Sequence, residues 1–296
     1  MSILVTGAGG QLGRELALRL APDEAVCLPR AALDLTDAPA VQATLARLRP
    51  RVVINAAAYT AVDRAETESE LAFAVNRDAP ATLARACAEI GAALLHVSTD
   101  YVFSGEGRRP WREDDATGPI NVYGASKLAG EQAIQRALPQ HLIVRTAWVF
   151  GAHGPNFVRS VLRLARERGS LRIVADQTGS PTWAGHLAEA LITLARRIVA
   201  GEALAFGLYH YAGAPATTWH GFAEAVVHAA VAQVLLAAPV PVAPIATAEF
   251  PSPARRPAWS VLDGARMAAT FGISPPDWRA GLAQTLAAWK ASETAP

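Results

Sequence analysis

This chain of 296 residues has little cysteine, almost no excess of one charge and no long apolar run at its N-terminus. Its two cysteines, Cys27 and Cys87, stand far apart and match no metal-binding or redox spacing, so we expect buried, reduced thiols. The formal net charge of +1 argues against a general binder of nucleic acid or of membrane surfaces. The N-terminus reaches Gly7 too soon for a signal peptide, which predicts a cytoplasmic protein.

One stretch without charged residues, 229–248, raises the question of a membrane span. It contains Gln233 and three prolines, Pro239, Pro241 and Pro244, which interrupt any helix that crosses a bilayer. The stretch therefore predicts a buried helix followed by an extended segment.

Hydrophobic residues make up 51% of the chain, enough for a large buried core. In the first half, short runs that are apolar throughout alternate with helical patterns. This alternation is typical of a parallel sheet with helices on both faces, a doubly wound α/β domain of the Rossmann type. We predict this domain over residues 1–150, with a later return of the chain to the sheet near 205–225. Residues 151–296 are predicted to form mainly a smaller, mixed α/β substrate lobe, with helices at 157–168, 185–199 and 219–231.

A glycine-rich loop separates the first apolar run from the first helical pattern, with glycine at Gly7, Gly10 and Gly13. Glycine permits a tight turn and lets a pyrophosphate approach the backbone, and the N–H groups of the next helix start bind phosphate. A glycine triplet alone is a weak signal. Its place between a strand and a helix is what predicts dinucleotide binding.

The adenosine ribose of such a cofactor is contacted about 20 residues beyond the loop. Arg30 lies there and Arg14 directly follows the loop, so two guanidinium groups favour NADPH over NADH. Two solvated arginines are the alternative, and NADH stays open as the cofactor. Asp34-Leu35 is assigned to the adenine.

Tyr123 and Lys127 stand four residues apart, on one face of a predicted helix. A free phenol, with a pKa of about 10, is a reluctant acid at neutral pH. A nearby ammonium and the positive charge of an oxidised nicotinamide stabilise the phenolate and lower that pKa. We therefore predict that Tyr123 donates a proton to a carbonyl while the cofactor transfers hydride, and that Lys127 also holds the nicotinamide ribose.

Lysine is itself rare here, because only Lys127 and Lys290 occur among 27 basic residues. In a chain that otherwise uses arginine, a compact ammonium at this position indicates chemistry that a guanidinium cannot replace. Two ordinary surface residues on a helix are the alternative interpretation of the Tyr123–Lys127 pair.

Thr99 follows the fourth predicted strand, at the carboxyl end where ligands of such sheets bind. Its hydroxyl is expected to bond a substrate carbonyl and to steady Tyr123, and a hydroxyl that only caps the strand is the alternative. The segment 55–59 follows the third strand, and its small side chains, Ala58 among them, let a nicotinamide ribose lie close.

Together these segments resemble the dTDP-4-dehydrorhamnose reductase family of the extended short-chain dehydrogenases. The resemblance covers nearly the whole chain and is far more specific than any single motif. The segments that carry it are GAGGQLG (7–13), NAAA (55–58), STDYVF (98–103), NVYGASK (121–127), DQTGSPT (176–182) and ARRP (254–257).

The resemblance implies the last step of dTDP-rhamnose biosynthesis, a route to cell-envelope polysaccharide. In that step the C4 ketone of dTDP-6-deoxy-L-lyxo-4-hexulose is reduced to dTDP-L-rhamnose with NADPH or NADH. Thr99, Tyr123 and Lys127 fall on the catalytic positions of the family. Asp100 and Trp148 match substrate positions, with plain core packing as the alternative for Trp148. The cofactor positions of the family fall on Gly10, Gln11, Leu12, Asp34, Leu35, Ala58, Tyr59 and Thr60.

Weaker matches concern the nucleotide end of the substrate and a metal. Asn156, Arg255 and Arg256 are assigned to the nucleotide, since guanidinium groups suit a pyrophosphate, and solvated loop arginines are the alternative. The resemblance also implies a homodimer, with a magnesium site at the dimer contact of some members. Glu15 lies in a matching position, but one carboxylate does not make a metal site, so we predict no metal ligand.

Rival activities fit the same fold. Sugar-nucleotide dehydratases place Asp-Glu directly after the threonine, whereas Asp100-Tyr101 follows Thr99, so reduction is favoured over elimination. Another sugar-nucleotide 4-ketoreductase or an epimerase stays open, because both use the same tyrosine and lysine. A non-enzymatic regulatory subunit that binds the nucleotide cofactor also stays open, although the intact Thr99, Tyr123 and Lys127 set argues for catalysis.

Overall fold

A six-stranded sheet forms the centre of the computed structural model, which describes residues 2–294. Its strands are β1 (Ile3–Thr6), β2 (Ala25–Leu28), β3 (Val52–Asn55), β4 (Ala93–Thr99), β5 (His141–Thr146) and β10 (Gly207–His210). They lie in the order β10-β5-β4-β3-β1-β2, and every pairing is parallel. The predicted parallel sheet is therefore confirmed, and the chain returns to it with β10.

Helices follow most of the strands, some covering the faces of this sheet and others lying beyond it. They are α1 (Gln11–Arg19), α2 (Ala38–Leu48), α3 (Val62–Ala65), α4 (Ser69–Phe73), α5 (Ala79–Ile90), α6 (Val122–Ala137), α7 (Phe157–Arg168), α8 (Ala184–Val199), α9 (Trp219–Ala232), α10 (Ala265–Phe271) and α11 (Trp278–Thr294). A wider helical turn, Ala74–Asp78, joins α4 to α5, and single tight turns occur at Asp100–Val102 and Thr247–Glu249.

Successive residues of a strand point to opposite faces of the sheet, and each face has its own core. Val5 belongs to the apolar cluster that α1 and α8 share, whereas Leu4 belongs to the cluster of α2, α5 and α6. Both residues are fully buried. Because both faces are covered, the doubly wound α/β architecture is confirmed.

Most of the remaining chain packs around a separate apolar core that includes Phe150, Phe222, Trp278 and Leu286. Helices α7, α9 and α11 contribute to it, and short paired strands surround it. The short strands are β6 (Val149–Phe150), β7 (Leu171–Val174), β8 (Thr178–Gly179), β9 (Thr182–Trp183), β11 (Thr217–Thr218) and β12 (Val242–Ile245), which pair as β6-β9, β7-β12 and β8-β11. Helix α8 instead packs on α1 and the sheet. Residues beyond 150 therefore contribute to the core on the α1 face of the sheet as well as to the separate core.

The uncharged stretch 229–248 is a helix end followed by a strand. Helix α9 ends at Ala232, and the chain then runs to β12, which contains Pro244. Within residues 2–294, no helix has the length and apolar character needed to cross a membrane. The predicted buried helix with an extended continuation is confirmed.

Both cysteines are free thiols, as predicted. Cys87 is buried in α5, and Cys27 is half-buried in β2. Burial raises the pKa of the Cys87 thiol to about 12, which keeps it protonated and unreactive.

Candidate active site

The glycine loop joins β1 to α1, at the carboxyl end of the sheet. Gly7 has φ of +74°, and a Cβ there would lie 2.6 Å from the backbone nitrogen of Ala57. A Cβ at Gly13 would lie 2.1 Å from the carbonyl oxygen of Gly7. Only glycine fits at these two positions, so the loop stays close to β3 and leaves the start of α1 open to a ligand.

A cavity of about 430 Å³ lies beside the glycine loop, between the strand ends and the separate apolar core that includes Phe150 and Phe222. Most residues that the sequence assigns to the site line its wall. They are Gly10, Gln11, Leu12, Ala58, Thr60, Thr99, Asp100, Tyr123, Lys127, Trp148 and Asn156. Residues far apart in the chain thus meet at one place, because the carboxyl ends of parallel strands share one edge of the sheet.

Tyr123 reaches this cavity from the first turn of α6. The side chain of Asn121 caps the helix by accepting a hydrogen bond from the Gly124 nitrogen at 2.8 Å. Thr99 hydrogen-bonds the phenol, and the ring of Tyr101 meets that of Tyr123 edge-on, with centroids 5.5 Å apart. The fold therefore brings the predicted threonine and tyrosine together.

The pKa of Tyr123 departs from our expectation. The sequence suggested that Lys127 lowers it, but burial raises the pKa of the phenol to about 12, despite the hydrogen bond from Thr99, which lowers it. Desolvation of the phenolate outweighs any nearby positive charge, because the ring is buried between Tyr101 and the sheet. The prediction of a lowered pKa is wrong for the protein without ligands.

Lys127 is 1% exposed, and its nitrogen points at β4. Nζ donates to the carbonyl of Val97 at 2.7 Å and lies 3.2 Å from Nε2 of His96. Burial lowers the pKa of Lys127 to about 8, and the carboxylate of Glu131 opposes that shift. The surface alternative for Tyr123 and Lys127 is therefore wrong, since both side chains are buried at the cavity.

Asp100 presents a buried carboxyl beside Thr99. Its Oδ1 accepts from the Thr99 hydroxyl at 2.9 Å, and its Oδ2 has no hydrogen-bond partner within residues 2–294. Burial raises the pKa of Asp100 to about 7. An unpartnered polar oxygen at a cavity wall is suited to accept from, or donate to, a ligand hydroxyl.

Trp148 forms a flat aromatic wall on the other side of the cavity. Its ring stacks on Trp219, with centroids 3.5 Å apart and planes 7° apart, and Phe157 packs against Trp219 in turn. Trp148 is only half-buried and has φ of +46°. Plain core packing does not describe it, because both indoles face the cavity.

A second cavity, of about 250 Å³, shares Tyr101 and Trp219 with the first. Arg256 lines it and bonds Asp63 at 2.8 Å, while its buried Nη1 has no partner within the described residues. Arg255 is exposed and lines neither cavity, but its carbonyl oxygen accepts from Nδ2 of Asn121 at 2.9 Å.

The sequence matches the family described as "RmlD substrate binding domain" over residues 1–291. A curated relative, the dTDP-4-dehydrorhamnose reductase of Aggregatibacter actinomycetemcomitans, is 44% identical over 283 residues, which are 95% of this chain and 96% of that protein. This chain belongs to the RmlD family. The family resemblance found in the motifs is confirmed.

Solved RmlD-family structures have the same fold. A dTDP-4-dehydrorhamnose reductase from Clostridium acetobutylicum is 35% identical, with a TM-score of 0.90 over 98% of this chain and 100% of that one. One from Bacillus anthracis, in complex with NADP, is 35% identical, with a TM-score of 0.88 over 97% of this chain and 100% of that one. A curated relative from Streptomyces antibioticus, named "Probable dTDP-4,6-dihydroxy-2-methyloxan-3-one 4-ketoreductase", is 42% identical over 100% of this chain and 98% of that protein.

The residues that the sequence assigned to the adenine end lie apart from the cavity wall of this RmlD-family chain. Arg30 is exposed and Asp34 is half-buried; they pair at 3.3 Å, and Asp34 also accepts from the Thr36 nitrogen. Leu35 is 7% exposed and packs in the core with α2, so its side chain is core rather than cavity wall. Arg14 donates to the carbonyl of Gly9 at 3.2 Å.

Three further predicted residues are engaged within the chain. The Tyr59 hydroxyl donates to Glu68 at 2.6 Å. Asn156 caps α7 and also donates to the Gly151 carbonyl at 2.8 Å. Glu15 bonds Arg19, and the described part of the chain holds no group of three His, Cys, Asp or Glu side chains that could bind a metal.

Sequence reasoning missed Trp219, Asp63 and His96. Trp219 and Asp63 lie in segments with no recognised spacing to the site, and only the fold brings them to the cavities. His96 could have been predicted as a buried polar residue near the site. It lies inside an otherwise apolar strand, three residues before Thr99, and a buried histidine needs a polar partner.

Proposed function

We propose that this chain reduces the C4 ketone of dTDP-6-deoxy-L-lyxo-4-hexulose to dTDP-L-rhamnose, with NADPH as the hydride donor. The observation that carries the proposal is the meeting of Thr99, Tyr123 and Lys127 in one cavity above the glycine loop. The names of the curated relatives support the substrate, since these proteins are dTDP-4-dehydrorhamnose reductases at 40–48% identity.

The residues present fit a dinucleotide. The missing Cβ atoms at Gly7 and Gly13 leave the backbone close enough for a pyrophosphate, and Gln11 at the start of α1 has a buried side-chain oxygen without a partner in the described chain. Bound nicotinamide supplies the hydride. Ala58 and Thr60 would flank its ribose, and Lys127 would bond the ribose hydroxyls.

The proton goes to the substrate from Tyr123. In the buried site its phenol holds that proton at neutral pH, so it is ready to donate to the ketone oxygen as negative charge develops there. The single hydroxyl hydrogen of Thr99 would turn from Asp100 to that oxygen, which would hold the ketone beside the phenol. The ammonium of Lys127 then stabilises the phenolate that remains.

The second cavity is the proposed site of the nucleotide diphosphate. The unpartnered, buried Nη1 of Arg256 supports this assignment, because a pyrophosphate oxygen would satisfy it. Trp148 offers the sugar a flat apolar face, and Asp100 would bond a sugar hydroxyl. Asn156 and Arg255 are weaker members of the site, since their contacts lie within the chain. We also propose that residues 151–296 act mainly as the substrate lobe.

NADPH preference is part of the proposal. The exposed guanidinium of Arg30, together with Arg14 beside the loop, supports it, as does the NADP complex of the Bacillus anthracis relative. Asp34 and Leu35 are proposed to lie beside the adenine. The lack of a metal ligand at Glu15, a homodimer, a cytoplasmic location and the lack of a nucleic-acid partner stay predictions.

The test is loss of absorbance at the reduced nicotinamide band, with purified protein, NADPH, dTDP-4-keto-6-deoxyglucose and its 3,5-epimerase. Oxidation that needs the epimerase and yields dTDP-L-rhamnose is the expected result. Tyr123→Phe should bind NADPH normally and lose most turnover. Equal turnover in that variant would contradict the proton-donor role.

A second candidate is a 4-ketoreductase for another dTDP-deoxysugar. The relative from Streptomyces antibioticus favours it, because its identity of 42% is as high as that of several rhamnose reductases. NADPH oxidation without the epimerase would support this candidate. NADPH binding with no oxidation of any sugar nucleotide would instead favour the non-enzymatic regulatory subunit, and epimerisation without net oxidation would favour an epimerase.

A further inference from the structure

A chain of buried polar side chains runs from Lys127 through His96 to Asn55. The exposed fractions of the three are 1%, 0% and 1%, so no solvent shell satisfies their hydrogen bonds. His96 lies in β4 and Asn55 at the end of β3, directly under the cavity-lining segment 56–58.

The orientation of the Asn55 amide is fixed by its neighbours. Its Oδ1 accepts from the backbone nitrogen of Ala57 at 3.1 Å and from the hydroxyl of Thr6 at 2.8 Å. A backbone N–H can only donate. A flipped amide would place two donors face to face in a buried site, so Oδ1 stays on the Ala57 side and Nδ2 points away.

That orientation decides which nitrogen of His96 carries the hydrogen. Nδ2 of Asn55 lies 3.0 Å from Nδ1 of His96 and donates to it, so Nδ1 must be a bare acceptor. Burial holds the pKa of His96 well below its usual value, which keeps the ring neutral. The single hydrogen of the ring is therefore on Nε2, which faces Nζ of Lys127 at 3.2 Å.

We propose that Asn55 and His96 are positioning residues that turn an N–H donor, rather than a lone pair, toward the Lys127 nitrogen and so favour its neutral amine in the unliganded site. An ammonium has three donors and no lone pair, whereas an amine can accept from Nε2 and still donate to the carbonyl of Val97. This inference rests on the reaction proposed above, in which the ammonium of Lys127 stabilises the phenolate of Tyr123, and the pH at which that ammonium loses its proton sets the pH at which kcat/KM falls.

The other ionisable groups around Lys127 do not reverse this preference. Tyr123 and Glu131 face it from its own helix, and Asp100 lies beyond Tyr123. Glu131 favours the ammonium, but its two oxygens are bonded by Arg145 of β5 at 2.9 and 2.6 Å. Burial of Lys127 is the larger influence and acts with His96.

Nitrogen-15 NMR of the unliganded, histidine-labelled protein tests the inference directly. We expect His96 with hydrogen on Nε2 and a bare Nδ1. His210 is an internal control, because it is also buried but its Nδ1 faces the carbonyl of Trp111 at 3.0 Å and must carry the hydrogen there. Hydrogen on Nδ1 of His96 would overturn the proposal.

Asn55→Asp should reverse the tautomer of His96, since a carboxylate oxygen can only accept from Nδ1. The reversal also assigns the His96 signal without a histidine substitution. An unchanged tautomer in a folded Asn55→Asp protein would contradict the role given to Asn55.

The pH profile of kcat/KM supplies the functional readout. His96→Gln can turn its amide oxygen to Lys127, so the fall of kcat/KM at high pH should move upward by roughly one pH unit. His141→Gln is the matched control, because His141 is buried in the neighbouring strand and its ring bonds the Leu138 carbonyl rather than Lys127. Equal profiles for both variants would overturn the proposal. The tautomer needs no turnover to be measured, so loss of the proposed function would be seen separately, as no NADPH oxidation by the wild type.

Discussion

Lys127 and Arg145 are two buried cations between α6 and the sheet, and their surroundings differ. Arg145 is 3% exposed and makes a two-pronged ion pair with Glu131. Lys127 has no carboxylate partner within residues 2–294 and contacts a carbonyl and an imidazole. A paired buried charge stays charged and serves the fold, whereas an unpaired one keeps a protonation equilibrium near neutral pH that a reaction can use.

Lys127→Met tests this difference between the two cations most directly. Turnover should fall by roughly 10²–10⁴-fold, because the phenolate of Tyr123 loses its stabilising ammonium. The free energy of unfolding should be unchanged or higher, since an ammonium without a carboxylate is costly to bury. Steady-state NADPH oxidation and urea unfolding measure the two quantities. A loss of stability matching the loss of turnover would show that Lys127 is structural.

Arg145→Met should give the opposite result. It leaves the carboxylate of Glu131 buried and unpaired, which should lower the free energy of unfolding by about 3–5 kcal/mol. Arg172→Met is the control, because its pair with Glu249 is exposed and should be worth less than about 1 kcal/mol. Similar urea midpoints for the two variants would show that the buried ion pair contributes no more to stability than the exposed one.

The pH dependence of stability distinguishes the cations further. The pKa of Lys127 is about 8 in the folded protein, whereas that of a lysine exposed to water is 10.5. Between these values the unfolded chain binds more protons, so this lysine makes stability rise with pH in that window and adds no slope below it. The unfolding free energy of wild type minus that of Lys127→Met should therefore rise from pH 8 to pH 10, as wild type gains stability and the variant does not. A constant difference would contradict the lowered pKa.

Trp219→Ala should have the smallest effect, because it removes the support of Trp148 and leaves the charged groups alone. Loss of an aromatic stack worth about 0.5–1.5 kcal/mol predicts a rise in KM of roughly 2–10-fold with kcat kept. Initial rates over a range of sugar-nucleotide concentration measure it. A fall in kcat with unchanged KM would place Trp219 in the reaction rather than in substrate binding.

Local patterns in the sequence predicted several residues that line the cavity. Gly7 and Gly10 precede α1 and Gly13 lies in its first turn, while Tyr123 and Lys127 are one turn apart in α6, so their spacing already encodes their geometry. The alternation of apolar runs and helices likewise predicted the parallel sheet, because each strand is buried on both faces.

Patterns in the sequence did not predict contacts between segments that are far apart in the chain. Asp63 and Arg256 are 193 residues apart and meet only through the fold. The raised pKa of Tyr123 in the protein without cofactor was not predicted for a similar reason, because the degree of burial depends on how α6 packs against Tyr101 and the sheet. Leu35 was assigned to the cofactor from its motif, yet its side chain faces the core.

Gly124, beside Tyr123 in the first turn of α6, limits which sequences this site tolerates. A Cβ at this position would lie 2.1 Å from the carbonyl oxygen of Tyr101, so even alanine forces the helix away from the turn after β4. That turn carries Thr99 and Asp100, and a displaced helix would lengthen every hydrogen bond between the two elements. Homologues with a side chain at 124 are therefore expected to have moved this helix or lost the activity, even where threonine, tyrosine and lysine are all retained.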